Sequence, residues 1–136
     1  MWTKLLILSI SLIIFLGCAG SPARIGMMST EELQSVTDSD LCNAYAVIRA
    51  DKVKAELKRR NVISANEWAL IEQKKICIGM SELGLICSWG YPGIYGSVNT
   101  MVSRYGVNKQ WVFRLCDICK TSFVHTENGE IISWQD

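Results

Sequence analysis

From about Ser97 onward the apolar residues fall at alternate positions, which restricts the last third of the chain to half-buried strands. The segment "SVNTMVSRY" (97–105) alternates. So does "KQWVFRL" (109–115), which would set Trp111, Phe113 and Leu115 on one face. "TSFVHTENGEIISW" (121–134) reads as a hairpin, because an Asn-Gly pair such as Asn128-Gly129 suits the two-residue turn that joins antiparallel strands. Such a turn places His125 opposite Ile132 and Phe123 opposite Trp134, and these four residues then share a face. A run of helices precedes the strands, so the pattern predicts an α+β layer pair with an antiparallel sheet.

The helical part is marked by its caps. Ser29 and Glu32 have the spacing of a capping box, and so do Ser64 and Glu67. Ile63 and Trp68 flank the second box as a hydrophobic staple, which predicts a helix from Ala65 to about Lys75 with Trp68 and Ile71 inward. Between the boxes, residues 39–61 follow helical spacing through Leu41, Tyr45 and Ile48, then through Val53 and Leu57. The two sets are offset, so a bend falls near Ala50–Asp51. Lys58, Arg59 and Arg60 suit the negative end of the dipole, and Asn61 stops the helix. Ser81 predicts the N-cap of a further short helix, with Leu85 and Trp89 inward, Gly90 in the left-handed conformation and Pro92 beyond it.

At the front, Leu5–Leu16 is an uncharged and largely apolar run of twelve residues, with Ser9 and Ser11 within it. A membrane-spanning helix needs about 20, whereas a secretory signal needs a run of this length. The run ends in "FLGC", which resembles the lipobox of bacterial lipoproteins. The resemblance implies that residues 1–17 are a signal peptide, that Cys18 receives a diacylglyceryl group, and that the chain is cut just before it. Several acyl chains on one cysteine hold a protein stably to a bilayer, at about 0.8 kcal/mol per buried methylene. Ala19, where Asp would signal retention, resembles outer-membrane sorting. Residues 18–37 then read as the acylated cysteine and a flexible tether, small and polar through "AGSPARIGM", and 38–136 as a single α+β domain.

Cleavage there removes 17 of 136 residues and leaves 119, enough for one core. It also removes Lys4, leaving 13 basic side chains against 13 acidic ones. Such neutrality gives no electrostatic basis for nucleic-acid binding or for a polybasic lipid patch. Export would place Cys42, Cys77, Cys87, Cys116 and Cys119 in an oxidising compartment. Five is odd, and the pairing is not legible from spacing.

"CDIC" (116–119) invites three readings. A redox pair needs a thiol at a helix N-terminus, and this one lies between strands beside Asp117. A zinc site needs a second pair, for which Cys77 and Cys87 are poorly spaced. A structural disulfide, Cys116 to Cys119, is the reading that the context favours. His125, the sole histidine, reads as a packed core residue, and Trp68, Trp89, Trp111 and Trp134 read as inward-facing. No nucleophile, P-loop, dinucleotide or zinc-protease motif occurs, so no catalytic residue, metal site, cofactor or small-molecule substrate is expected. The loop "GYPGIYGS" holds Tyr91, Ile94 and Tyr95 on a Gly- and Pro-rich connection, and is the candidate partner surface.

The segment "GMSELGLICSWGYP" (79–92), through Gly79, Met80, Ser81, Leu85, Trp89, Gly90 and Pro92, resembles the SmpA/OmlA family. "QWVF" and "FVHTENGEI" are similar to that family's Trp-aromatic strand and final hairpin. The resemblance spans about residues 76–134. It implies a BamE-like fold, shared with β-lactamase inhibitor proteins, of helices on a three-stranded antiparallel sheet. It further implies a non-enzymatic lipoprotein on the periplasmic side of the outer membrane that binds envelope proteins, in outer-membrane protein assembly or envelope integrity. The alternatives are an inhibitor-like binding module and a CxxC thiol or metal protein.

Overall fold

A computed structural model describes residues 20–136. Residues 1–17, expected to be a signal peptide, and Cys18 lie outside the described residues. The elements in order are α1 (Pro22–Met27), α2 (Thr30–Leu33), α3 (Asp38–Ile48), α4 (Asp51–Arg60), α5 (Ala65–Ile71), α6 (Glu82–Trp89), β1 (Ser97–Ser103), β2 (Gly106–Arg114), β3 (Thr121–Glu127) and β4 (Glu130–Gln135). The α+β order holds. The sheet, however, has four antiparallel strands in the order β1-β2-β3-β4, against the three that the resemblance implied.

Residues 18–37 read as a tether in the sequence, but the chain is folded from Ser21 onward. The Ser21 hydroxyl accepts the Arg24 N–H, and Pro22 starts α1, where its missing N–H costs nothing. Ile25 on α1 and Leu33 on α2 are fully buried, so two short helices belong to the core. α2 opens with the Ser29–Glu32 box in full.

The bend expected near Ala50 is a break. Arg49 adopts the left-handed conformation (φ 51°, ψ 35°), and α4 restarts at Asp51. Leu41, Tyr45, Val53 and Leu57 are buried as their spacing predicts, but Ile48, on the last turn before the break, keeps 37% of its surface exposed. α5 starts on its capping box and stops at Ile71 instead of Lys75. Lys74 turns left-handed there (φ 54°), and the Lys75 N–H donates to the Leu70 carbonyl, closing a Schellman turn without a glycine. Trp68 is only half-buried. Gly90 ends α6 at φ 78° and ψ −172°, outside the left-handed helical region that was expected, in a conformation open mainly to glycine.

Two clamps hold the helical layer. Cys42 on α3 and Cys87 on α6, both fully buried, form a disulfide. Arg60 joins α4 to the chain before α3. Its guanidinium donates to the carbonyls of Leu33, Gln34 and Val36, to Asp38 Oδ1 at 2.7 Å and to Glu56 Oε1 at 2.8 Å. Glu56 also accepts two bonds from Arg59. Those bonds, with that from Arg60, lower the Glu56 carboxyl from 4.5 to about 2.

In the sheet, β3 and β4 meet in the Asn128-Gly129 hairpin, and Glu127 pairs with Glu130 and Thr126 with Ile131. A β-bulge follows. Ile132 has no partner, His125 faces Ser133, Val124 faces Trp134, and Phe123 faces Gln135. The four therefore do not share one face, since Trp134 now lies opposite Val124 while His125 keeps Ile132 beside it. Trp111, Val124, Thr126 and Ile131 are buried toward the helices, His125 and Phe123 lie on the open face, and Ile132 and Trp134 are exposed. Phe113 shares the helix side with Trp111, whereas Leu115 falls beyond β2 and is exposed. β1 is exposed along its whole length, since none of the described helices covers it, and its apolar residues, Val98, Met101 and Val102, do not alternate.

The layers are joined at 79–82. The Gly79 N–H donates to the Ile131 carbonyl (2.8 Å), the Ile131 N–H to Met80 (2.8 Å) and the Glu82 N–H to Gly129 (2.9 Å). Glu82 then accepts from Lys109 (2.6 Å) and from Thr126 Oγ1 (2.7 Å), and Thr126 Oγ1 accepts from Trp111 Nε1 (3.2 Å). Glu82→Ala leaves buried Thr126 and the Lys109 ammonium short of a partner. It should lower the free energy of unfolding by about 2 kcal/mol, read by urea titration of tryptophan fluorescence.

The Glu56 cluster sets a pH dependence. Its folded value lies below the unfolded one, so its contribution is complete above about 4.5 and lost as pH falls toward about 2. Thermal melts should show this acid-side loss in the wild type. In Glu56→Gln the slope between those values should be shallower.

Candidate functional site

One end of the sheet gathers two loops. β1 begins at Ser97 opposite Val112, and Arg114 pairs with Thr121, so the 90–96 loop and the 115–120 loop emerge at the same end. The first is tied down at both ends. The Tyr91 N–H donates to Asn43 Oδ1 (2.9 Å), and the Tyr91 ring stacks on Trp111 with centroids 6.5 Å apart and planes 9° apart. At the far end, the Gly96 N–H donates to the Gly93 carbonyl (2.9 Å), and Gly96 lies so close to the Val112 carbonyl and Pro92 that a Cβ would collide. Between these ties Ile94 is 92% exposed, and Tyr95 is about half exposed.

The second loop is closed by a disulfide between Cys116 and Cys119, with the Cys119 N–H donating to the Cys116 carbonyl (3.2 Å). The staple holds out Leu115 at 92% and Ile118 at 95% exposure. Neither residue stood out in the sequence as a contact residue. Leu115 continues the alternation of β2 and reads as core, and Ile118 hides between two cysteines. The signal that could have found them is the CxxC itself, since a three-residue step between bonded cysteines forces a tight turn that turns its neighbours outward.

Of the sequence-predicted surface residues, Ile94 and Tyr95 project, while Tyr91 is partly spent on Trp111. Beside Tyr91 a cleft of about 450 Å³ opens between the helices and the bare inner side of β1. It is lined by Leu83, Ile86, Val98, Thr100 and the Glu82–Lys109 pair. On the other side of the sheet His125 lies in a shallow depression of about 560 Å³ with Met101, Gln110 and Ile132. It is thus a half-exposed residue of the open face, and not the packed core residue that its neighbours in sequence suggested.

Cys77 is the one unbonded cysteine among the described residues, half-buried and separate from both disulfides. Among those residues no three His, Cys, Asp or Glu side chains converge as a metal would require. Nor is any of their helices long and apolar enough to cross a membrane. The bonding leaves neither Cys116 nor Cys119 as a thiolate, so the arrangement offers shape and apolar contact at this end.

Comparison with protein-family models, with curated proteins and with solved structures finds no match in any of the three.

The thiol pattern is directly testable. In protein isolated without reductant, Cys77 should be the only one of the five cysteines from Cys42 onward that a maleimide labels, and reduction in denaturant should expose all five. Labelling at Cys116 and Cys119 in the native, unreduced protein would remove the staple.

Proposed function

We propose that this chain is a non-enzymatic envelope lipoprotein. Lipid on Cys18 holds it to the periplasmic side of the outer membrane, and its α+β domain binds protein partners that act in outer-membrane protein assembly or envelope integrity. The observation that carries the binding reading is the end of the sheet where Ile94, Leu115 and Ile118 are held in solvent by two tied loops. Large aliphatic side chains kept out of a core by a covalent staple and fixed turns are a costly surface for a chain that contacts nothing. Tyr95 beside them adds a side chain favoured at contact centres. The anchoring reading is supported by the short apolar run, by Gly17-Cys18 behind it, and by two disulfides that suit an oxidising compartment.

Two measurements test the reading separately. Mass spectrometry of the mature N-terminus should find acylated Cys18, and Cys18→Ser should leave the membrane fraction with its first 17 residues uncleaved. Ile94→Asp combined with Ile118→Asp should stay membrane-bound and keep its melting temperature, while co-purification of outer-membrane assembly factors from solubilised envelope falls at least tenfold. Unchanged co-purification would move the contact elsewhere.

A further inference from the structure

The two edges of the sheet are treated differently. At β4, the 79–82 segment occupies the start of the outer edge with backbone hydrogen bonds at Gly129 and Ile131. At β1, the outer edge pairs with nothing among the described residues, and every residue from Ser97 to Ser103 is exposed. Chains usually protect such an edge with lysine, proline, a bulge or a covering element. β1 has none of these. Its seven residues, "SVNTMVS", carry no charge and no proline, its register with β2 is unbroken, and Met101 and Val102 stand out by more than two thirds of their surface.

The order of residues along this edge says what can pair with it. Around Thr100 the strand is nearly the same read in either direction: Ser97 mirrors Ser103, Val98 mirrors Val102, and Asn99 mirrors Met101. Two antiparallel copies related by a two-fold axis at Thr100 would therefore set serine against serine and valine against valine. Val98, Thr100 and Val102 share the helix side with Trp111, their partners on β2 being Trp111, Lys109 and Val107. None of the described helices covers β1 there, so two helical layers could sit on one continuous sheet with the valines of both copies in the trough between them. The same symmetry brings Tyr95 toward Tyr105 of the second copy. Both tyrosines are substantially exposed, and they lie five residues either side of Thr100.

We propose that β1 is a self-pairing edge, and that two copies of this chain join through antiparallel β1 strands about a two-fold axis at Thr100 to form one eight-stranded sheet. Isologous two-fold contacts are the commonest form of self-association, and they demand a patch complementary to itself, which this strand provides. The unpaired backbone groups supply the affinity, and the mirrored side chains supply the register. The pairing does not depend on the lipid or on the apolar end of the sheet.

The test uses charge at the one residue that meets itself. Thr100→Lys and Thr100→Glu each put like charges directly opposite across the axis, which destabilises a strand pair. Each substitution sits on an exposed strand position, and circular dichroism with a thermal melt verifies the fold. Sedimentation velocity of the full chain in density-matched detergent should find a dimer for the wild type and a monomer for each variant. An equimolar mixture of the two variants should restore the dimer, since Lys then meets Glu. A wild type that stays monomeric through the micromolar range overturns the proposal, as do dimers that survive both substitutions or a mixture that remains monomeric.

Discussion

The fold turns on the short crossing at residues 79–82, where the chain passes from the helical layer to the sheet. Four residues there have three duties. They hydrogen-bond to the β4 side of the sheet, they supply Ser81 as the cap of α6, and they begin the carboxylate relay from Glu82 to Lys109, Thr126 and Trp111. Glu67 reaches in from α5 as well, accepting the Ser81 N–H at 2.7 Å while it completes its own capping box at Ser64. Helix starts, sheet edge and interlayer polar contacts therefore share one set of atoms. A buried polar group such as Thr126 is tolerable only because this network satisfies it. The same crossing occupies the start of the β4 edge, while no described element pairs with the outer edge of β1.

The helical layer is assembled by different means. Its elements are short, and helices of this length have little stability of their own. What fixes them is convergence on common points: the Cys42–Cys87 bond between α3 and α6, and the Arg60 guanidinium, which gathers the loose carbonyls at the end of α2. Arg suits that place because its planar fork donates in several directions at once, which the ammonium of lysine cannot imitate.

Much of this was legible because it is local. Ser29–Glu32, Ser64–Glu67, Ser81 and Asn128-Gly129 announce caps and a turn through atoms three or four residues apart, and they appear where the sequence places them. The sequence was less informative where a single backbone conformation or a distant contact decides. Arg49 and Lys74 turn left-handed without being glycine, which breaks one helix and shortens another. One unpaired residue, Ile132, shifts the strand pairing and turns over the end of β4, so Trp134 is not where simple alternation puts it. At the candidate contact surface, the exposure of Ile94 and Tyr95 was readable from a glycine-rich loop too short to bury them. The exposure of Leu115 and Ile118 was not, because it follows from where β2 ends and how tightly the staple turns.

The position of α1 bears on the working radius of the molecule. Ser21 already caps a helix whose Ile25 is in the core, so only Ala19 and Gly20 separate Cys18 from folded structure. Two residues span about 7 Å at full extension. Under the proposed lipidation the domain would sit against the headgroups like a foot on a floor, with little freedom to wander. Whatever it binds would have to come to the bilayer surface, at a height and angle that the lipid and the first helix set between them.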